Sequence, residues 1–555
     1  MAKDEEGEHR TNSNSKLETN PVINACAPTS NSQFLLVIQR KVAGRLAARL
    51  THEHTQDKCR HAGRRRSASD IWRRSGSSSS SSLSSPASLP PPPAMTTSTS
   101  NQKPTYITSL PGLDGALPSL LETGYVTVDE ENGAELFYYF VESEGDPGRD
   151  PVLLWLTGGH RCSVLSGLVF EIGPVELVRE PYDGISLPRL RWNPNSWTKV
   201  ASILFVDSPV GAGFSFSRDP NGYDVGDVSA SLQLIEFLYK WFSAHEDYLA
   251  NPFYLGGGSY AAKLVPFITQ KISEGIEAGV RPIINLKGYT VGNPLTGDSI
   301  DFDSRVPYCH GVGVISDQLY KTIMDNCHGK GYSNPRTFIC AKAMSKFNEL
   351  FDEISAPHIL HNKCIAVSPG PSDVSRRKIL NEEVDLLQNP PPRPPIECIE
   401  YPHYLLYFWV NNNATRETLG IKKGTVNEWV RCHQGDLPYD EDIVNGIEYH
   451  RKVASLNYRT LVYSGDHDAV LPFLSTQAWV RSLSDHIVDD WRAWHLDGQS
   501  AGFTMTYGNN VTFATVKVKA HIFLFPLCIV YYRFQPKLAL YMPVSFREIL
   551  QIKDV

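Results

Sequence analysis

Residues Asn251 to Pro266 read Asn-Pro-Phe-Tyr-Leu-Gly-Gly-Gly-Ser-Tyr-Ala-Ala-Lys-Leu-Val-Pro. An apolar strand, Phe253 to Leu255, runs into three glycines and one serine, and a helical pattern follows. This is the pattern of a strained strand-to-helix turn that presents Ser259 above a sheet. Glycines at 256 to 258 keep side chains out of a crowded turn and permit unusual backbone angles. The helix after Ser259 directs its positive N-terminal end toward any oxyanion formed there. A Gly-x-Ser-x-small pattern alone is more often an ordinary loop serine, so its partners decide the reading.

A serine hydroxyl attacks a carbonyl only when a base takes its proton and a third group orients that base. Tyr458 to Asp468 reads Tyr-Arg-Thr-Leu-Val-Tyr-Ser-Gly-Asp-His-Asp, a β-rich run ending in acids. Asp468 is the candidate orienting acid and Asp466 the reserve; the plainer alternative is that both acids cap a turn. For the base, a strand pattern over Phe513 to Lys517 is followed by His521, which completes the order Ser, Asp, His. A lone histidine beside apolar residues more often has no catalytic role.

Strand patterns at Val152–Leu156, Ser202–Asp207, Phe253–Leu255, Leu286–Val291 and Thr460–Ser464 alternate with helical ones at Ser229–Phe242, after Ser259, and at Phe473–Leu483. This alternation predicts an α/β fold with a mainly parallel sheet and helices on both faces. A long insertion, about 298–449, interrupts it and reads as a cap over the site. Its Pro-rich part, roughly Ser368 to Pro395, reads as a linker. Tyr404, Tyr407, Phe408 and Trp409 either line the cleft or pack the cap core, and packing is the commoner use of such residues. Residues 1–100 carry Arg64-Arg65-Arg66, the run Ser77 to Ser82 and Pro90 to Pro93, the composition of a disordered leader. The body then spans about 101–520, and 521–555 forms a divergent tail.

Several stretches together resemble the plant serine carboxypeptidase-like family, whose fold is that of the α/β hydrolases. They are Trp155 to Gly159, Ser166 to Leu168 with Glu171 to Pro174, Asn193-Pro194 with Trp197, Val206 to Gly211 with Gly213 to Ser215, the Ser259 turn, Lys287 to Tyr289 with Gly292 to Pro294, Ser464 to Asp468, and Asp489 to Trp491. The resemblance implies a triad of Ser259, Asp468 and a histidine in register with His521. It also implies an oxyanion hole from the backbone amides of Gly159 and Tyr260, and bridges pairing Cys162 with Cys432, Cys327 with Cys340, and Cys364 with Cys398. Two loops depart from the family. Its Pro-Gly after the paired glycines is here His160-Arg161, which removes a fixed φ and a permissive one beside an oxyanion donor and predicts a displaced Gly159. Its glycine-shaped histidine loop is here Val518-Lys519-Ala520-His521, with no match afterwards.

The resemblance also bears on substrate. A carboxypeptidase of this family holds the terminal carboxylate of a peptide with an asparagine before the paired glycines, an acid before the serine and a later glutamate. Those positions are Thr157 (beside Gly158), Gly258 and Glu171 here. Trp-Leu-Thr-Gly-Gly instead resembles the acyltransferase branch, which moves acyl groups from glucose esters to an alcohol or amine. The expected partners are therefore a small-molecule acyl donor and acceptor, with a peptide C-terminus as the alternative. A catalytically impaired protein of the same fold is the third reading.

The 555-residue chain is 41% hydrophobic, enough for a large core, and its formal charge of -7 shows no basic bias toward nucleic acid. No signal-peptide pattern is visible at Met1 or at Met95, an alternative start. The cysteines and the acceptor sequons at Asn413 and Asn510 nevertheless point to the secretory pathway, with a vacuolar or extracellular destination. No metal-ligand spacing or cofactor motif is present, and the apolar run Ile522 to Tyr532 is too short to span a bilayer.

Overall fold

The computed structural model describes residues 103–328, 331–364, 393–433, 435–496 and 498–517. All of them lie in the unit Thr97–Val555. The leader, most of the Pro-rich linker, His521 and the tail lie outside the described residues.

Among these residues, twelve strands form one sheet: β1 Thr105–Ile107, β2 Leu121–Asp129, β3 Ala134–Val141, β4 Val152–Leu156, β5 Ser202–Val206, β6 Phe216–Ser217, β7 Phe253–Gly258, β8 Leu286–Gly292, β9 Arg459–Gly465, β10 Ile487–Leu496, β11 Gln499–Tyr507 and β12 Val511–Val516. Their order is β1-β2-β3-β5-β4-β7-β8-β9-β12-β11-β10, with β6 beside β3. From β5 to β12 every pairing is parallel, whereas both flanks are antiparallel hairpins. The expected fold is therefore present, with antiparallel edges beyond the sequence reading.

Alternation along the strands makes two apolar faces. Leu136, Tyr138, Phe140, Leu154 and Leu204 join one cluster, and Phe137, Tyr139, Leu153, Trp155 and Phe205 join the other. Helices α1 (Asp227–Ala244), α2 (Ala261–Glu277), α4 (Ile447–Ser455) and α5 (Phe473–Arg481) cover the first face. The second is covered in part by α3, Tyr401–Asn411, which buries Tyr404, Tyr407, Phe408 and Trp409. These aromatics are cap-core residues. Truncating a fully buried sheet residue such as Leu154 to alanine costs about 2–5 kcal/mol.

The insertion between β8 and β9 contributes a third cluster, in which Val306, Tyr308, Ile323 and Phe347 pack with Ala469, next to Asp468. The structure contains the bridges Cys162–Cys432, Cys327–Cys340 and Cys364–Cys398. Cys309 is a buried free thiol. The glycines before Ser259 belong to β7 rather than to a turn: Gly256, Gly257 and Gly258 pair with Thr290, Val291 and Gly292. A Cβ on Gly256 would lie 2.8 Å from the Trp155 ring, and one on Gly257 would lie 2.8 Å from Ala261 Cβ. They give room for a tryptophan and a helix to approach the strand.

Candidate active site

Ser259 is the first residue beyond β7 and has φ +52°, left-handed for a residue with a side chain. Such strain persists only where neighbours over-determine it. Here the Ser259 N–H donates to Gly292 O (3.0 Å), while Ala262 and Leu295 donate to its carbonyl. Helix α2 then begins at Ala261. Four parallel strands place Thr157 after β4, Ser259 after β7, Asn293 after β8 and the acid turn after β9 along one edge of the sheet. That is the carboxyl edge, where open α/β sheets build their sites.

At that edge the two acids separate. Asp468 is fully buried. Its Oδ2 accepts from Asn293 Nδ2 at 2.7 Å, and its Oδ1 accepts from the amides of Val470 (2.7 Å) and Leu471 (3.3 Å). Asp466 is partly exposed and bonds His467 Nδ1 at 2.6 Å. A carboxylate fixed through both oxygens suits the orienting role better than one at the surface. The candidate base lies outside the described residues. The strand that precedes it in sequence, β12, ends beside the acid turn: Val516 pairs with Gly465, and Asp466 N donates to Val516 O at 3.1 Å.

The departing loop keeps a defined shape. Gly159 has φ +78° and Arg161 φ +55°, so Arg161 takes up a left-handed backbone where the resembled pattern has glycine. His160 stacks on Tyr439 (ring centroids 4.9 Å apart, planes at 12°) and meets Tyr260 edge-on at 5.4 Å. Burial holds its imidazole below the usual histidine range, with Arg161 and Lys263 acting in the same sense. Cys162 is bridged to Cys432, and Ser163 N donates to Arg431 O at 2.8 Å. This segment of the insertion therefore clamps the loop.

Of the positions expected to face substrate, Gly258 is buried in β7 and places no side chain beside Ser259. Thr157 and Gly158 follow β4 directly. Glu171 is buried, accepts from Trp155 Nε1 at 2.9 Å, and is raised to about 7. Desolvation causes that rise, against opposing effects from the Trp155 hydrogen bond and the charge of Arg431.

Three residues without an assigned role in the sequence shape this site. Asn293 holds Asp468, as above. Asp207 accepts from Ser163 Oγ (2.7 Å), Val164 N (2.8 Å) and Phe214 N (3.0 Å), tying the loop after β4 to the one after β5. Burial raises it to about 6. Arg161 is the third. Asn293 and Asp207 stood within the motifs that carry the resemblance, but their partners are distant in sequence. Among the described residues no group of three or more His, Cys, Asp or Glu is placed to hold a metal, and no helix is long and apolar enough to cross a membrane.

A profile of the serine carboxypeptidase family matches residues 111–527, three-quarters of the chain. The chain belongs to this family. Among curated proteins, serine carboxypeptidase-like 19 of Arabidopsis thaliana is 41% identical over 75% of this chain and 90% of its own length. Serine carboxypeptidase-like 3 of Arabidopsis thaliana is 43% identical over 75% of this chain and 88% of its own length. Among solved structures, the prohormone-processing carboxypeptidase Kex1 of Saccharomyces cerevisiae aligns with TM-score 0.55 at 17% identity, covering 77% of this chain and 92% of its own. That likeness extends to the fold, which is the α/β-hydrolase fold. This serine carboxypeptidase-like chain thus places its elbow serine and buried acid at the edge where the fold builds its sites.

Proposed function

We propose that this protein is an acyltransferase that works through an acyl-Ser259 intermediate, taking the acyl group from a glucose ester and passing it to an alcohol or amine. Ser259 Oγ attacks the ester carbonyl while the base, His521, takes its proton and Asp468 orients the imidazole. The amides of Gly159 and Tyr260 donate hydrogen bonds to the developing oxyanion. Collapse breaks the bond to the glucose oxygen, which leaves with the proton from the histidine. The acceptor then attacks the acyl-serine and gives its proton to the base, which passes it to Ser259 Oγ as the acyl–oxygen bond breaks, restoring the free serine and the neutral imidazole. Every proton and acyl group is accounted for without a cofactor.

The observation that carries the choice of substrate is the loss of the paired acids beside the nucleophile. Gly258 supplies no carboxyl, Thr157 stands where an amide would, and of the three groups Glu171 alone remains, buried and with its Oε2 accepting from the Trp155 indole. Little is left to hold the free carboxylate of a peptide. Incubating purified protein with a glucose ester plus an acceptor, and separately with a peptide, tests this. Release of glucose matched by acylated acceptor supports the proposal, while release of a C-terminal amino acid alone favours serine carboxypeptidase activity. The three bridges and the exposed sequons at Asn413 and Asn510 support a lumenal or extracellular site of action.

A further inference from the structure

Arg161 is fully buried, yet it carries a charge and a left-handed backbone two residues after Gly159, the proposed oxyanion donor. A buried charge is retained only where its desolvation is offset. Here the guanidinium donates to three main-chain carbonyls on three separate segments: Val210 after β5, Tyr223 before α1, and Pro438 at the return from the insertion. Gly211 leaves it room, since a Cβ there would lie 2.8 Å from Arg161 Nη1. On the main chain, Arg161 O accepts from His433 N at 3.0 Å.

Pro438 leads directly into Tyr439, and Tyr439 is the point where both halves of the proposed oxyanion hole meet. Its ring stacks on His160, which follows Gly159, and meets Tyr260 edge-on at 6.2 Å. The hydroxyls of Tyr439 and Tyr260 both donate to Asp227 Oδ1, at 2.8 and 2.7 Å. Asp227 Oδ2 lies 3.2 Å from buried Lys263 Nζ, on the first turn of α2. Moving the Pro438–Tyr439 segment therefore disturbs the residue after one proposed donor and the side chain of the other.

We infer that Arg161 is a positioning residue that holds the Gly159 and Tyr260 amides in register by fixing the Val210, Tyr223 and Pro438 segments around them. It stands where the resembled pattern has glycine, which has no side chain to make these three contacts. A planar fork of charged donors can lock three carbonyls at once, which neither glycine nor the single ammonium of lysine reproduces. The inference rests on the acyl-serine reading.

The test compares wild type, Arg161→Gly and Arg161→Lys for the rate of labelling by a fluorophosphonate and for turnover of p-nitrophenyl acetate and its thiono analogue. An oxyanion hole discriminates oxygen from sulfur at the reacting carbonyl, whereas a smaller fraction of folded enzyme lowers both rates equally. The expected result is a 10- to 100-fold loss of labelling rate in Arg161→Gly, a smaller loss in Arg161→Lys, and a fall in the oxo-to-thiono ratio in both. If Arg161→Gly does not fold, the ratio in Arg161→Lys decides. A reactive wild type with an unchanged ratio in the folded variants overturns this inference alone. A wild type inert to all three probes overturns the enzymatic reading and this inference with it.

Discussion

Asn293 Nδ2 donates to Asp468 Oδ2 across 2.7 Å, joining the ends of two adjacent parallel strands 175 residues apart in sequence. The asparagine is itself fixed, since its N–H donates to Tyr463 O at 2.8 Å and its Oδ1 accepts from Gly465 N at 3.3 Å. The carboxylate is thereby held in one orientation. Asn293→Ala removes one charge-assisted hydrogen bond, worth about 1.5–3 kcal/mol, and should lower kcat by roughly 10- to 100-fold. Steady-state kinetics on folded Asn293→Ala check this, and unchanged kcat would mean that Asp468 does not depend on its brace.

The bridge Cys162–Cys432 closes 270 residues of chain and lies beside the proposed oxyanion loop. In the chain-entropy account, closing so long a loop stabilises the fold by about 5–6 kcal/mol. Cys162→Ser with Cys432→Ser should therefore show a marked loss in chemical denaturation and slower labelling of Ser259. Equal stability of the two proteins would contradict the assigned constraint.

Glu171 gives a pH signature. Burial raises it from 4.5 to about 7, so the folded protein keeps a proton that the unfolded chain releases. This contribution favours the fold most below pH 4.5, weakens as pH rises to about 7 and is level beyond. Glu171→Gln keeps an acceptor for Trp155 but cannot ionise. Its Tm relative to wild type should climb between pH 4.5 and 7, and a pH-independent difference would show that Glu171 is not held neutral.

The sequons give a test of compartment. Asn413 and Asn510 are both exposed. Expression in a secretory host should add a glycan at each, read as a stepwise mass loss in Asn413→Gln and Asn510→Gln. Secreted, folded protein without glycans would remove this support for a lumenal location.

Residue patterns revealed what is local. Ser259 and the turn bearing Asp468 each sit in a few consecutive residues that join a strand to a turn, and the central parallel strands are apolar because both faces are covered. The edge hairpin β10–β11 is not legible in the sequence, because Asp489, Asp490 and Arg492 make β10 read as surface. The Asn293 brace depends on β8 lying beside β9, and the carbonyl partners of Arg161 come from segments 49, 62 and 277 residues away. No periodicity encodes such contacts. The glycines before Ser259 read as a turn because flexibility is what their local sequence offers, whereas the close approach of Trp155 and Ala261 is a tertiary fact.

The central claim is that Ser259 is an activated nucleophile, and covalent labelling by a fluorophosphonate tests it most directly, because an ordinary loop serine does not react. Purified wild type is predicted to take up one probe per chain, mapped by mass spectrometry to the peptide containing Ser259. Ser259→Ala, with the same fold, should take up none, and its acyl transfer should fall by several orders of magnitude. Failure of folded wild type to label, or labelling and turnover that survive in Ser259→Ala, would contradict the account.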